Sequence, residues 1–146
     1  MQIRIEGSDL PGRQCGPGAN GFPGYDGVHV GLQRRNRPSE LLLQPGDAPS
    51  VTWTLDCTVS GSDIKGPYVQ GPPGGRFIYL SWVTVDQDQN VSRFRRAKLM
   101  LDAVPEEVLE AATRSGHLVA RLSLTDIHGH PICAAVRPPL ITWSPT

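Results

Sequence analysis

Apolar and polar residues alternate without a break through SVTWTLDCTV, residues 50–59. The apolar side chains, from Val51 to Val59, take every second position, and threonine or aspartate fills most positions between them. A period of two is typical of a strand that is buried on one face and solvated on the other. The pattern therefore predicts one strand through this stretch, in which Cys57 is a small core residue.

Related patterns predict the other strands, and prolines indicate which of them lies at an edge. RFIYLSWVTV is apolar on both faces, which indicates a central strand, and VSRFRRAKLML returns from it after the turn DQDQN as an antiparallel hairpin. The prolines of PPLITW cannot donate ladder hydrogen bonds, so this segment is predicted at a sheet edge. The remaining predicted strands are QIRIE, VHVGLQ, HLVARLSLTD and PICAAVR.

One segment, DAVPEEVLEAATRSGH, has the marks of a helix. Pro105 suits the first helical turn, and Glu106 and Glu107 suit its positive dipole end. Arg114 and Gly116 are residue types that close helices. The sum is a mainly β fold, an antiparallel β-sandwich or open barrel of about seven strands, with one α-helix over about residues 105–115.

Length and charge narrow the class of protein. The 146 residues fit a single domain, residues 1–146, and can bury a core without a metal or a disulfide. Lysine plus arginine equals aspartate plus glutamate, 14 against 14, which argues against a nucleic-acid binder. Neutral charge favours self-association, so we expect a monomer or a homodimer.

The start of the chain and the cysteines bear on its compartment. MQIRIEGSDL has no apolar stretch long enough for a signal peptide or a membrane span. Cys15, Cys57 and Cys133 are an odd number in a chain that we do not expect to be secreted, so we expect reduced thiols. These features predict a cytoplasmic protein without a membrane partner.

The glycine-rich segments and the histidines give no strong signature. GPPGGR and GPGANG lack the Gly-Lys-Ser/Thr ending of a phosphate loop, and no predicted helix follows either of them. Asp126, His128 and His130 have the spacing Asp-x-His-x-His, which could supply ligands to zinc or another transition metal. A hairpin turn with solvated histidines explains the same residues, so we expect no metal and no other cofactor.

Four cations fall within the short stretch RFRRAKL. On a strand, Arg96 and Lys98 project to one face, and Arg93 and Arg95 to the other. An inward face would hold buried cations, and a bound carboxylate or enolate would be their partner. The alternative, which we favour, is that they face water or pair with aspartates. The candidate aspartates are Asp86, Asp88 and Asp102.

The segment GPYVQGPPGGRFIYLSW joins a run of turn residues to the predicted central strand. Ligand pockets are mostly apolar with a few placed donors, a role that its tyrosines, glutamine and arginine suit. Core packing and surface ion pairs would explain the same residues. We therefore interpret the segment mainly as a stiff corner that leads into the strand, and secondarily as the rim of a pocket. The candidate ligand-binding residues are Tyr68, Gln70, Arg76, Tyr79, Trp82, Arg96 and Lys98.

Four strings make up a recognisable order of motifs: VHVGLQRRNRP, GPYVQGPPGGRFIYLSWVTVD, FRRAKLMLDAV and HPICAAVRPPLITW. Together they cover most of the chain, and the second is the most specific. This order resembles an uncharacterised family of small bacterial proteins, most familiar from actinomycetes, that carries only a domain-of-unknown-function label. The resemblance implies a bacterial cytosolic protein, and it implies no activity, cofactor or catalytic residue.

Three functions stay open at this point. The first is a small-molecule-binding β domain without chemistry of its own, whose ligand is anionic if the arginine cluster holds it. The second is a cofactor-independent enzyme of the cyclase or isomerase type that uses tyrosine, arginine or lysine in a β-barrel pocket. The third is a protein-interaction module that uses the Pro-rich tail or a sheet edge. Whether the protein is an enzyme is left undecided.

Overall fold

The computed structural model describes residues 1–8, 28–37, 40–45, 50–85, 91–123 and 141–146. Within these ranges the chain forms ten strands, one α-helix and one 3-10 turn. The strands are β1 Gln2–Ser8, β2 Val28–Gln33, β3 Leu41–Pro45, β4 Ser50–Asp56, β5 Thr58–Ser60, β6 Asp63–Lys65, β7 Phe77–Val85, β8 Val91–Met100, β9 His117–Ser123 and β10 Ile141–Ser144. The 3-10 turn spans Leu101–Ala103, and the helix α1 spans Glu106–Ser115.

Two four-stranded sheets form the body of the molecule. The first sheet has the order β10-β9-β1-β4, and the second has the order β3-β2-β7-β8. β5 and β6 pair separately as a two-stranded hairpin. Neighbouring strands run antiparallel, except that β1 and β9 are parallel, with Ile3 beside Leu118.

Both sheets send alternate side chains into one hydrophobic core. In β4 the burial follows the predicted alternation, and Trp53 at its centre is 2% exposed. Leu80 and Leu99 on the second sheet are fully buried. Trp53 also links the two sheets, because its Nε1 donates to the Leu42 carbonyl oxygen on β3 at 3.1 Å. Two sheets that share a core in this way form a β-sandwich, as the sequence predicted.

The sandwich departs from the expected antiparallel pattern in two ways. The parallel pairing of β1 with β9 makes the first sheet mixed. The predicted strand 50–59 is two strands, because β4 ends at Asp56. At Cys57 the backbone N–H donates to the Met1 carbonyl, and the Met1 amino group donates to the Cys57 carbonyl. These two bonds lie just beyond the Gln2–Asp56 pair, at which the ladder between β1 and β4 ends.

Several other expectations are confirmed. β7 lies between β2 and β8 as a central strand, and its pairing with β8 is the predicted antiparallel hairpin. β10 lies at a sheet edge. Gly116 closes α1 in the left-handed conformation at φ 82°. Two short strands, β3 and β6, were not expected, and the predicted strand PICAAVR lies outside the described residues.

Cys57 is a core residue, as its place in the alternation predicted. Its side chain is 7% exposed and belongs to the hydrophobic cluster. Burial raises the pKa of the Cys57 thiol to about 11, so the group stays protonated and unreactive at neutral pH.

Candidate functional site

Two chain segments cross between the sheets at the same end of the sandwich, and a cleft lies between them. The first crossing comprises residues 57–76 and leads from β4 to β7. The second is the 3-10 turn with α1, which leads from β8 to β9. The cleft has a volume of about 430 Å³, within the range of small-molecule pockets. Its lining residues are Ser62, Asp63, Ile64, Pro73, Gly74, Arg76, Leu101, Asp102, Val104, Glu106 and Leu109.

The floor of the cleft is apolar. Ile64 from β6 is 2% exposed, and Leu101 and Val104 from the second crossing are 3% and 8% exposed. Leu109 adds a half-buried side chain from the first turns of α1. These residues belong to or pack against the main core, so the cleft opens onto the hydrophobic core and is not a groove in a polar surface.

A salt bridge fixes one wall of the cleft. Arg76 donates from Nε to Asp63 Oδ1 at 3.0 Å and from Nη2 to Oδ2 at 3.4 Å. Its Nη1 donates to the Gly71 carbonyl oxygen. The side chains of Arg76 and Asp63 are only 13% and 21% exposed. The paired contacts hold the guanidinium in one orientation and neutralise its charge.

The same contact keeps Asp63 ionised. The hydrogen bond from Arg76 lowers the pKa of the Asp63 carboxyl below its usual value of 3.8, and partial burial opposes this effect. The Lys65 ammonium, 3.9 Å from Asp63 Oδ2, acts in the same direction as Arg76. Asp63 therefore carries a full negative charge at neutral pH.

Carboxylates outnumber cations in the cleft. Asp102 and Glu106 are exposed at its rim, and neither forms an ion pair with any residue that the structure describes. With Asp63 they make three carboxylates against the single guanidinium of Arg76. The N terminus of α1 adds only about half a positive charge. Lys65 lies 3.9 Å from Asp63 but does not line the cleft, so the lining side chains themselves carry a net negative charge, which disfavours anions.

The corner before β7 is a closed loop. Gln70 and Phe77 exchange backbone hydrogen bonds of 2.8 and 2.9 Å, which tie the two ends of residues 70–77 together. Gly71 within the loop has φ +90°, a conformation that favours glycine. The Gln70 side chain donates from Nε2 to the Gln33 carbonyl oxygen at 3.3 Å. Gln70 thus supports the corner instead of lining the cleft.

The structure separates the predicted ligand-binding residues into different places. Among the members of that set whose side chains the structure describes, only Arg76 lines the cleft. Tyr68 packs, half-buried, against the core. Trp82 has its backbone in β7, but its side chain lies outside the described part of the structure. The weak metal candidates Asp126, His128 and His130 also lie outside the described residues.

Tyr79, Arg96 and Lys98 come together on the outer face of the second sheet. Lys98 is the cross-strand partner of Tyr79, and Arg96 and Lys98 are both exposed. Arg96 and Lys98 are thus turned to the surface, and the side chains of Arg93 and Arg95 lie outside the described part of the structure. The proposed pairing with Asp102 is absent among the described ion pairs, and the candidates Asp86 and Asp88 lie outside the described residues.

Most of the cleft was not visible in the sequence. Ile64, Leu101 and Leu109 look like ordinary core or helix residues, and nothing marks them as lining a cavity. The isolated charge of Arg76 beside an apolar run indicates that it needs a carboxylate partner. No spacing rule selects Asp63 for that role, because the two meet through a hairpin and a loop and not along one element.

Within the part of the chain that the structure describes, no three His, Cys, Asp or Glu side chains gather where they could hold a metal ion. No helix among those residues is both long enough and apolar enough to span a bilayer.

Comparison with known proteins places the chain in a family. Residues 1–146 match the model of a family of unknown function (DUF5990), and the chain belongs to that family. The match confirms the unknown-function label that the order of motifs indicated. No curated protein and no solved structure matches the chain.

Proposed function

Starting from membership in a family whose function is unknown, we propose that this protein binds a small amphipathic molecule in the cleft. The bound molecule has an apolar body and a positively charged group such as an amine. The observation that carries the proposal is a cavity of about 430 Å³ that combines an apolar floor with three carboxylates and one neutralised guanidinium.

The apolar floor supplies affinity and the carboxylates supply selectivity. Each buried methylene group contributes about 0.8 kcal/mol. An exposed ion pair contributes about 0.2–1 kcal/mol. A chain of several methylene groups on Ile64, Leu101 and Val104 therefore outweighs a single contact with Asp102 or Glu106. The rim carboxylates instead decide between a cationic ligand and an anionic one of the same shape.

Arg76 has a supporting role in this proposal. Its guanidinium is already bonded to Asp63 and to the Gly71 carbonyl, so it is a poor partner for a ligand anion. The ion pair holds the hairpin β5–β6 against the corner and so keeps one wall of the cleft in place. Binding in the cleft requires no catalytic group, which favours a binding domain over the cofactor-independent enzyme. The enzyme and the interaction module stay predictions. The cytoplasmic location also stays a prediction.

A cleft-filling substitution tests the proposal directly. Ser62 lines the cleft at an exposed turn, so Ser62→Trp places an indole in the mouth without disturbing the core. Thr58→Trp is the matched control, because Thr58 is exposed on the same hairpin and does not line the cleft. Thermal-shift screening of alkylamines and arylamines should show stabilisation of the wild type and Thr58→Trp, and none of Ser62→Trp. Equal stabilisation of all three proteins, or stabilisation of none, would contradict the proposal.

A further inference from the structure

The outer face of the second sheet carries aromatic rings stacked with cations, in an arrangement that we call the cation–aromatic ladder: Phe77, Tyr79, Arg96 and Lys98. The two ring centroids are 4.8 Å apart at an interplanar angle of 72°. The Arg96 guanidinium lies 4.9 Å from the Tyr79 centroid, and the Lys98 ammonium lies 4.5 Å from the Phe77 centroid. Contacts of this kind hold the long cationic side chains in place on the sheet.

The cations of the ladder lack counter-ions among the described residues. Neither Arg96 nor Lys98 takes part in any of the ion pairs found there. Arg96 donates from Nη1 to Gln33 Oε1 at 3.0 Å, which is a bond to a neutral group. Gln33 is 6% exposed, so it holds Arg96 from a buried position. A guanidinium has five donors, so Arg96 has donors left for another partner.

A buried hydroxyl without a partner lies next to Arg96. Ser81 is fully buried, and its Oγ makes no hydrogen bond to any group that the structure describes. Ser81 is the direct cross-strand partner of Arg96 on β8, so the two side chains share the outer face at about 5 Å between Cβ atoms. Such a hydroxyl costs stability when it stays unpaired, and in native proteins it calls for an explanation such as a bound group.

The strand beside Ser81 places an apolar side chain next to this position. Gly31 on β2 is the other cross-strand neighbour of Ser81, and it has no side chain. Leu43 on β3 lies over Gly31, close enough that a Cβ there would meet Leu43 Cδ2 at 2.7 Å. Across the sheet, an apolar wall at Leu43 and a cation at Arg96 thus border the Ser81 hydroxyl.

We propose that the ladder and Ser81 form an anion-binding site for the carboxylate or phosphate group of a small organic molecule. Arg96 and Lys98 supply the charge, the Ser81 hydroxyl supplies a neutral hydrogen bond, and Leu43 and the rings contact the body of the ligand. The group reaches Ser81 only when Arg96 gives up its contacts with Gln33 and the Tyr79 ring and changes rotamer. This site shares no residue with the cleft, so it is independent of the proposed function.

An NMR titration with two anions tests this site. The ¹⁵N-labelled protein is titrated with sodium benzoate and separately with inorganic phosphate, and sodium chloride keeps the ionic strength constant. We expect saturable shifts of the Tyr79, Ser81 and Arg96 amides with at least one probe. The probe that binds more tightly decides between a carboxylate and a phosphate ligand. Shifts that do not saturate, or that sodium chloride alone reproduces, would overturn the proposal.

Two variants and a control separate the site from a general charge effect. Arg96→Gln should weaken binding of the anion about tenfold, as expected for a charged hydrogen bond. Ser81→Ala should weaken it about fivefold while leaving the melting temperature of the free protein unchanged or higher, because it removes an unpaired buried hydroxyl. The control is Arg4→Gln on the outer face of the first sheet, which should bind like the wild type. Equal weakening in Arg96→Gln and Arg4→Gln would contradict the site.

Discussion

Arg76 is bonded to the Asp63 carboxylate through two nitrogens and to the Gly71 carbonyl through the third. The sequence marks this arginine as unusual, because it is the one charge at the boundary between a turn-rich run and an apolar strand. It does not identify the partner, since Asp63 meets Arg76 only after the chain has folded through a hairpin and a loop. A residue that the pattern indicated as a ligand donor is thus held by the protein itself.

The ion pair makes stability depend on pH in a defined direction. Arg76 lowers the pKa of Asp63 below 3.8, so the stabilisation is fully present above pH 3.8 and is lost as the pH falls through the folded-state pKa. We expect Asp63→Asn to lower the melting temperature by several degrees at pH 7. The difference from the wild type should narrow progressively below pH 3.8. Thermal unfolding followed by circular dichroism, from pH 7 down to pH 2.5, measures this difference in melting temperature.

Asp102→Asn is the matched control for this experiment. Asp102 also lines the cleft, but it is exposed and forms no ion pair with the described residues. We expect its melting temperature to stay close to that of the wild type at every pH. A deficit of Asp63→Asn that is equally large at pH 7 and pH 2.5 would show that the ion pair does not cause it.

At the scale of elements, alternation predicts strands well where a strand lies in a sheet with one buried face. β4 shows this, since each of its odd-numbered residues is buried. Alternation does not show where pairing stops. The apolar pattern continues from Leu55 through Cys57 to Val59, but the pairing of β4 with β1 ends at Asp56. The hairpin β5–β6 has only three residues in each strand, too few for a period to be detected.

The corner before β7 depends on the conformation of one glycine. Gly71 has φ +90°, and a Cβ at this position would overlap the Gly75 carbonyl oxygen. Gly74 in the same loop has φ +82°, but a Cβ there would meet nothing within 4 Å. We expect Gly74→Ala to cost roughly 1 kcal/mol, the usual strain of the left-handed region. Gly71→Ala should cost about 3 kcal/mol, because backbone must move as well.

Urea unfolding of the two alanine variants compares these costs. The larger loss of unfolding free energy, in Gly71→Ala, should lower the urea concentration at the midpoint and leave the slope against urea concentration nearly unchanged. Strain in the folded state does not alter the surface that unfolding exposes. Equal losses in the two variants would contradict the close packing of the corner around Gly71.

At the scale of the molecule, the sequence predicted the sandwich and the helix but not the cleft. The sandwich follows from periods of two along single strands, and α1 follows from its terminal residues. The cleft is formed where two crossings meet at one end of the sandwich, joined by the hydrogen bond from the Leu101 N–H to the Arg76 carbonyl. Contacts between distant segments leave no periodic trace, so Ile64, Leu101 and Leu109 could not be recognised as neighbours.

The same limit explains why the structure places the candidate ligand-binding residues in different parts of the molecule. Alternation along one strand placed Arg96 and Lys98 on the same face, and the structure adds Tyr79 to that face as the cross-strand partner of Lys98. Arg76 and Gln70 lie close to them in sequence but serve the corner. Proximity along the chain therefore does not show that Arg76 and Tyr79 face the same surface.

The central claim, that the cleft selects a cationic amphipathic ligand, is tested most directly with a pair of probes that differ only in charge. NMR titration compares n-hexylamine with n-hexanoate at constant ionic strength, following the amides of Leu101, Val104 and Leu109. The variants are Glu106→Gln, at the rim of the cleft, and Glu107→Gln, an exposed neighbour in the same helical turn that does not line the cleft.

We predict saturable shifts with n-hexylamine and binding of n-hexanoate that is weaker by roughly fivefold or more. Glu106→Gln should weaken n-hexylamine binding roughly threefold, and Glu107→Gln should leave it unchanged. Equal binding of the two probes at the cleft would contradict the charge selectivity. An absence of saturable shifts with both probes would contradict the binding function itself.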